Sequence, residues 1–179
     1  IAFLDSDDFW SPNKLEVVSQ NIEADPEAGL FSHNQSIIRD GEAVKRSRYG
    51  PPTGYQGSLH DYLVFVGNCI STSATVVAKE YLEQVDGFSE SRSIVTVEDY
   101  DLWVRLSKLC RFRFIEDVLG SQVFHPASAS ANAELHLHSS LAMLEKNRAE
   151  LDEEGIKYSK WALRRRRGNI YFGAARQYQ

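Results

Sequence analysis

The stretch Ile1-Ala2-Phe3-Leu4-Asp5-Ser6-Asp7-Asp8 indicates the class of fold more directly than any other part of the chain. Four apolar residues lead straight into acids, which is typical of a buried strand whose carboxyl end opens into a site. Alternate residues of an extended chain point the same way, so Asp5 and Asp7 can converge, and their hard oxygens suit Mg²⁺ or Mn²⁺. An acidic turn that caps the next helix is the alternative. A central strand at a chain start is unusual, so we expect a fragment.

The patterns that follow predict an α/β domain with an antiparallel addition. A helix should begin at Ser11-Pro12, carry Leu15, Val18 and Ile22 on one face, and end at Asp25. The Asp40-Gly41 pair indicates a hairpin turn. The remaining predicted elements are strands at 28–39, 42–48, 70–78, 111–115 and 119–124, an irregular loop at 88–97, and helices at 58–66, 79–85, 98–110, 132–153 and 157–177.

Composition describes a packed domain rather than a disordered or membrane-spanning chain. The 179 residues are 42% hydrophobic and 11% aromatic, with a formal net charge of -5. No run approaches the roughly 20 apolar residues that cross a bilayer. Cys69 and Cys110 are too few for a disulfide framework, so we expect free thiols in a reducing, cytoplasmic compartment.

Charge is unevenly distributed along the chain. Residues 155–179 carry seven basic side chains and no acid, which leaves -12 (-5 less 7) for residues 1–154. An acidic body argues against nucleic acid as a partner, because phosphates need basic density where they bind. Recruitment of a divalent cation fits this balance better.

Two further clusters carry chemistry. Glu98, Asp99 and Asp101 open a predicted helix, where the helix dipole favours single acids, but three acids in four residues exceed what capping requires. One of these carboxylates is placed to act as a general base on a bound hydroxyl. His125, between a strand and Pro126, is the third candidate, although a lone histidine is more often structural.

Taken together, these clusters resemble a known family. "IAFLDSDDFWSPNKL" at 1–15 resembles the Asp-x-Asp segment of family 2 glycosyltransferases with the GT-A fold, and "VEDYDLWVRL" at 97–106 resembles their Glu-Asp acceptor motif. "GNCISTSATVVAKEYLEQVDGF" at 67–88 is similar to the glycine loop, strand and short helix that precede that motif, and "QVFHPASAS" at 122–130 to the segment with the carboxy-terminal histidine.

The resemblance implies a partial GT-A fold, with a mixed sheet flanked by helices and a C-terminal helical hairpin, and an inverting transfer of sugar from a nucleotide-diphosphate donor to a glycan or lipid-linked acceptor. Asp99 would be the catalytic base. Asp5 and Asp7 would bind the donor, and Asp7 with His125 would hold Mn²⁺ or Mg²⁺. The residues implied to form the acceptor site are Glu98, Trp103, Gly67 and Asn68.

The resemblance also implies what this chain lacks. Family members bind the nucleotide through a segment that lies roughly ninety residues upstream of the Asp-x-Asp motif. We therefore expect residues 1–130 to be the metal and acceptor half of the domain, residues 131–179 a helical extension, and the chain alone to be inactive. Micromolar binding of a nucleoside diphosphate with Mn²⁺ would contradict this. An exposed sheet edge at Ile1–Leu4 would favour a homo-oligomer.

Other interpretations remain open. A metal-dependent phosphotransferase would leave residues 98–103 unused, whereas a non-catalytic carbohydrate-binding or assembly module of the same fold would keep the clusters without turnover. The run Arg164–Arg167 is either a solvated face of a helix whose apolar residues dock on the preceding helix, which we favour, or a peripheral contact with an anionic membrane.

Overall fold

The computed structural model describes residues 1–124 and 132–177, except for the side chain of Gln177. Its strands are β1 (Phe9–Trp10), β2 (Ala28–Arg39), β3 (Glu42–Ser47), β4 (Thr75–Val77) and β5 (Arg111–Val123). Its α-helices are α1 (Lys14–Ala24), α2 (Leu59–Phe65), α3 (Lys79–Gln84), α4 (Glu98–Leu106), α5 (Ala133–Glu153) and α6 (Lys160–Gln177). Short 3-10 turns lie at Thr72–Ala74 and Arg92–Ile94.

One mixed sheet holds all of these strands. Strand β2 pairs in parallel with β5 along one edge, and its other edge is shared by β4 and β3, both antiparallel to it. Strand β1 adds to the far side of β5 in antiparallel register, with Trp10 opposite Gly120. The sheet, the helices beside it and the C-terminal helical pair confirm the predicted α/β class and are consistent with a partial GT-A fold.

The β2–β3 hairpin forms where its turn residues predict it. Asp40 and Gly41 both have positive φ, of 52° and 82°, which is the backbone of the two-residue turn that matches strand twist. Aspartate tolerates this conformation and glycine adopts it at little cost.

Strand β5 corrects the prediction of two strands at 111–115 and 119–124. It is continuous, and its register against β2 shifts between His33 and Asn34, whose partners are Ile115 and Val118. The Asn34 side-chain amide donates to the Glu116 carbonyl at 2.7 Å, so a side chain supplies the hydrogen bond that the ladder omits. The interruption read from the sequence is therefore a bulge inside one strand.

Two predicted strands are shorter or less buried than expected. Within 70–78 only Thr75–Val77 is strand, because the Ser71 carbonyl accepts both the Ala74 N–H at 3.2 Å and the Thr75 hydroxyl at 2.7 Å and bends the chain. The segment Ile1–Leu4 follows β4 through a single bridge, Ala2 to Val76. Ile1 is 55% and Leu4 47% exposed, so the expectation of a buried strand there is wrong.

Helix ends and faces also differ in detail. Helix α1 begins at Lys14 after Asn13 rather than at Ser11-Pro12, and its predicted apolar residue Leu15 is 60% exposed. Helix α4 ends at Leu106 instead of residue 110, because the amides of Lys108 and Leu109 donate to carbonyls three residues earlier, those of Arg105 and Leu106. The two C-terminal helices lie where they were predicted.

The chain divides into two compact units, each assembled from separate segments. The first contains Ile1–Tyr55, Cys69–Gly87 and the chain from Arg105 through β5, and the second contains Gln56–Asn68, Phe88–Val104 and the C-terminal helices. The first unit packs α1 against the sheet around a core of Val18, Ala28, Phe31, Ile115 and Leu119. In the second, α5 contacts α6 and the 92–94 turn, and α6 contacts α2. No helix in the described ranges has the length and apolar character needed to cross a bilayer.

Candidate functional site

The acids at the start of the chain separate into one buried residue and two exposed ones. Asp8 is 7% exposed, whereas Asp5 and Asp7 lie at the surface. The Asp8 N–H donates to the Asp5 carbonyl at 3.1 Å, and the Asp5 N–H donates to Ser73 Oγ at 3.0 Å. We call residues 5–8 the acid turn. Neither exposed carboxylate forms an ion pair with a described residue, so both are accessible to a ligand.

Asp8 fastens the acid turn to the sheet. Its Oδ1 accepts a hydrogen bond from the Val123 N–H at 2.9 Å. Burial raises the pKa of Asp8, and the charges of Asp5 and Asp7 act in the same direction, against hydrogen bonds from Ser73 and Val123. The sequence pattern predicts roles for Asp5 and Asp7 and none for Asp8, whereas the structure assigns Asp8 an anchoring role.

A buried lysine lies beside the acid turn and was missed by the sequence analysis. Lys14 is 0% exposed, its Nζ donates to the Ser73 carbonyl at 3.0 Å, and it lies 3.8 Å from the centroid of the Trp10 ring. Trp10 Nε1–H donates to the same carbonyl at 3.0 Å. Burial lowers the pKa of Lys14 to about 7. The available signal was a lysine in the first turn of a helix, where the helix dipole disfavours a cation.

Strand β2 contributes buried polar side chains to the same unit. His33 and Gln35 are both 0% exposed. His33 Nδ1 bonds to the Asn34 carbonyl at 2.8 Å, and Gln35 Oε1 accepts from the Tyr49 hydroxyl at 3.0 Å. Their Nε2 atoms find no hydrogen-bond partner among the described residues. Burial, with a smaller effect of the Lys14 charge, lowers the pKa of His33 to about 4, so this imidazole is neutral near pH 7.

The predicted metal ligands are described only in part. Asp7 presents a free carboxylate, a hard oxygen donor of the kind that Mg²⁺ and Mn²⁺ prefer. His125 lies outside the described residues, so its pairing with Asp7 stays a prediction. Within residues 1–124 and 132–177, no three His, Cys, Asp or Glu side chains form a group that would hold a metal by themselves.

The second acidic cluster opens α4, as predicted. Glu98 is the first residue of the helix, and Asp99 Oδ1 accepts from the Tyr100 N–H at 2.6 Å. Glu98 Oε2 is buried and has no hydrogen-bond partner in the described part of the chain. A carboxylate oxygen in that position is costly unless something pairs with it, which marks Glu98 as a candidate ligand-binding residue.

Asp101 has a structural role that the sequence did not separate from the others. It is 1% exposed, and its Oδ1 lies 2.5 Å from Nζ of Lys146 on α5. This ion pair ties α4 to the C-terminal helices within the second unit. Of the three acids, Glu98 and Asp99 therefore remain as the candidates for chemistry.

The other acceptor-site candidates differ in accessibility. Gly67 is half-buried and Asn68 is exposed, immediately after α2. Trp103, inside α4, is 0% exposed, so its side chain does not reach the surface.

Tyr100 connects these elements. Its hydroxyl donates to the Leu63 carbonyl on α2 and lies 3.4 Å from Nη2 of Arg166 on α6. A Cβ placed on Gly67 would lie 3.5 Å from Arg166 Nη1, so the guanidinium also borders this glycine. The structure thus brings Gly67, Tyr100 and Arg166 together, and Arg166 is a site residue that the sequence did not identify.

Two proteins of known role are similar to this chain. No protein-family model matches it. Chondroitin synthase from Escherichia coli is 25% identical over 131 residues, which cover 73% of this chain and 18% of that protein. The amylovoran biosynthesis glycosyltransferase AmsB from Erwinia amylovora is 30% identical over 119 residues, which cover 64% of this chain and 38% of that protein. The chain is related to glycosyltransferases. It spans well under half the length of either relative.

Proposed function

We propose that this chain provides the metal, acceptor and base part of an inverting family 2 glycosyltransferase that uses a nucleotide-diphosphate sugar. The observation that carries the proposal is that some acids of the two clusters are paired within the fold and others are not. Asp8 is buried against Val123 and Asp101 is paired with Lys146, whereas Asp5, Asp7 and Glu98 keep carboxylate oxygens that no described residue satisfies. No described residue pairs with the buried Glu98 oxygen, and the exposed carboxylates of Asp5 and Asp7 are open to a ligand.

In this proposal Asp99 is the general base. It removes the proton of the acceptor hydroxyl as that oxygen forms its bond to the anomeric carbon, while the bond from this carbon to the diphosphate breaks with its electron pair. Attack opposite the leaving group inverts the anomeric configuration. Glu98 would receive a hydrogen bond from a hydroxyl of the acceptor, which satisfies its buried Oε2.

Donor binding falls to the acid turn. Asp7 and His125 would hold Mn²⁺ or Mg²⁺, and Asp5 would accept hydrogen bonds from donor hydroxyls. When bound, the cation neutralises charge on the departing diphosphate. Two hydrogen bonds anchor the acid turn, from the Val123 N–H to the Asp8 carboxylate and from the Asp5 N–H to Ser73 Oγ. They hold the turn in place and leave the carboxylates of Asp5 and Asp7 unused.

The test is replacement of Asp99 by Asn in a protein that carries this chain together with a nucleotide-binding part. Transfer should fall by at least about a hundredfold while donor binding is retained, because only proton removal is lost. Asp117→Asn is the matched control, since Asp117 is exposed on β5. Full transfer activity in Asp99→Asn would contradict Asp99 as the base, whereas no transfer by the unsubstituted protein would favour the non-catalytic carbohydrate-binding module.

We also propose a peripheral contact with an anionic membrane. The predicted docking of apolar side chains on α5 holds for Ile170, which is 7% exposed, but Trp161, Tyr171 and Phe172 are 66%, 52% and 66% exposed. At 100° per residue they share one face of α6 with Arg164 and Arg165. Aromatic and basic side chains on one face, in a helix without acids, complement a bilayer surface that carries negative charge. An acceptor linked to lipid would suit this placement.

A further inference from the structure

Arg166 on α6 is a half-buried cation that has no counter-ion in the described part of the chain. Two other basic residues of the second unit form ion pairs, Arg167 with Glu145 and Lys146 with Asp101. Among the described residues, no carboxylate lies within ion-pair distance of Arg166, and its guanidinium contacts Tyr100. A guanidinium removed from water in this way is stabilised when an anion joins it.

The guanidinium is held in a defined position. Its Cζ lies 5.7 Å from the centroid of the Tyr100 ring, and its Nη2 lies 3.4 Å from the Tyr100 hydroxyl. That hydroxyl is fixed in turn by its bond to the Leu63 carbonyl. Positioning of this kind reduces the entropy lost when a ligand binds.

Arg166 also lines a cavity of about 190 Å³ between α5 and α6. His136 and Ser140 come from one face of α5, four residues apart, and Arg166, Asn169 and Gly173 from one face of α6. A Cβ on Gly173 would meet nothing within 4 Å, so the glycine leaves this wall of the cavity open. The cavity therefore offers several polar groups together with one fixed positive charge.

His136 does not add a second charge near pH 7. Burial lowers its pKa, and the neighbouring Arg166 charge lowers it further, against a hydrogen bond with Thr96. Its Nδ1 lies 3.1 Å from Thr96 Oγ1. Arg166 is thus the ionised group among the described residues that line the cavity, and the neutral imidazole, hydroxyl and amide beside it suit the hydroxyls of a sugar.

We propose that this cavity binds an oxyanion carried by a sugar unit of the acceptor, either a carboxylate or a phosphate, with Arg166 as the charge that holds it. The identification of the ligand as the acceptor rests on the proposed function. The cavity and its charge stand without it.

The experiment measures binding to the 179-residue chain by NMR titration, without donor or metal, using inorganic phosphate in one arm and glucuronate in the other. Saturable shifts should appear at Tyr100, Gly67 and the α6 residues around position 166. Arg166→Gln should weaken binding about tenfold or more, as for loss of a charged hydrogen bond. Arg164→Gln removes the same charge from the exposed face of the same helix and should leave binding unchanged.

A second pair of variants tests the cavity without touching the charge. Gly173→Leu should fill it and abolish binding, whereas Gly168→Leu, also with open space around its Cβ but outside the cavity lining, should not. Both should unfold at or above the wild-type temperature, because leucine favours a helix more than glycine does. The arm with the tighter ligand identifies the oxyanion.

Absence of saturable binding in both arms would overturn the proposal, as would equal losses in Arg164→Gln and Arg166→Gln. The binding measurement involves no transfer. Oxyanion binding by this chain, with no transfer by the protein that joins it to a nucleotide-binding part and keeps Asp99, would therefore contradict the proposed function and leave the cavity proposal standing. Sugar transfer without oxyanion binding would contradict the cavity proposal and leave the proposed function standing.

Discussion

The Asp8 carboxylate accepts the backbone N–H of Val123 at 2.9 Å, and this bond joins the acid turn to the carboxyl end of β5. Replacing Asp8 by Ala should lower the free energy of unfolding by about 1–3 kcal/mol, because a buried N–H loses its acceptor. Asp7→Ala should change it by less than about 0.5 kcal/mol, since Asp7 is exposed. Urea unfolding of both variants measures the difference.

Metal binding should depend more on Asp7 than on Asp8, the opposite of their effects on the free energy of unfolding. The affinity for Mn²⁺, measured by isothermal titration calorimetry, should fall far more in Asp7→Ala than in Asp8→Asn, which retains an acceptor for the Val123 N–H. Equal effects of the two substitutions on metal binding would contradict the assignment of Asp8 as the anchor and Asp7 as the ligand.

Lys14 should make the free energy of unfolding depend on pH above neutrality. Its pKa in the folded chain is about 7, below the ordinary value of 10.5, so between these values the unfolded chain binds more protons than the folded one. Stability should therefore rise with pH through this window. His33, with a folded pKa of about 4, should add a separate rise between that value and 6.5.

The variant Lys14→Met separates the two contributions. Urea midpoints measured from about pH 7 to about pH 8 should become nearly flat, while the acidic rise from His33 persists. At higher pH, Cys69 and Cys110, whose pKa values burial raises, should lower the stability of both chains. An unchanged alkaline slope in Lys14→Met would show that another group titrates there.

The pair of Asp101 and Lys146 should be important for folding. Lys146→Met leaves a carboxylate that is 1% exposed without this cation, and we expect a loss of about 1–3 kcal/mol, since Lys146 itself is 37% exposed. Lys157→Met, at an exposed position, should have almost no effect. Thermal unfolding compares the two, and similar melting temperatures would contradict a structural role for Asp101.

The outer face of α6 should respond to lipid composition. With vesicles that contain anionic lipid, fluorescence of the exposed Trp161 should shift to shorter wavelength, whereas Trp103, 0% exposed, should contribute no shift. Neutral vesicles or high salt should abolish the change, because the attraction is electrostatic. Trp161→Phe should remove the signal, and Phe172→Ser should weaken co-sedimentation. Background sedimentation with anionic vesicles would exclude the membrane contact.

Elements set by neighbouring residues could be predicted from the sequence. The Asp40-Gly41 turn, the α2 helix with its Ser58 cap and the start of α4 at Glu98 follow from local backbone preference and capping, which act within a few residues. The grouping of acids at both candidate sites was visible for the same reason.

Features that depend on distant partners could not be predicted. At the bulge of β5 the Asn34 side chain bridges to the Glu116 carbonyl, and a 3-10 turn at Thr72–Ala74 lies where a strand was predicted. The roles of Asp8, Lys14 and Arg166 likewise follow from contacts with residues between 59 and 115 positions away. Sequence spacing carries no information about such contacts.

Interleaving within the second unit limits how the protein can be dissected. Helices α2 and α4 come from the middle of the chain, yet they complete their packing with α5 and α6 through contacts such as Tyr100 with Arg166 and Asp101 with Lys146. Truncation near residue 130 would therefore remove the helices against which α4, the helix that contains Asp99, packs. Expression boundaries for biochemical work should keep both terminal helices.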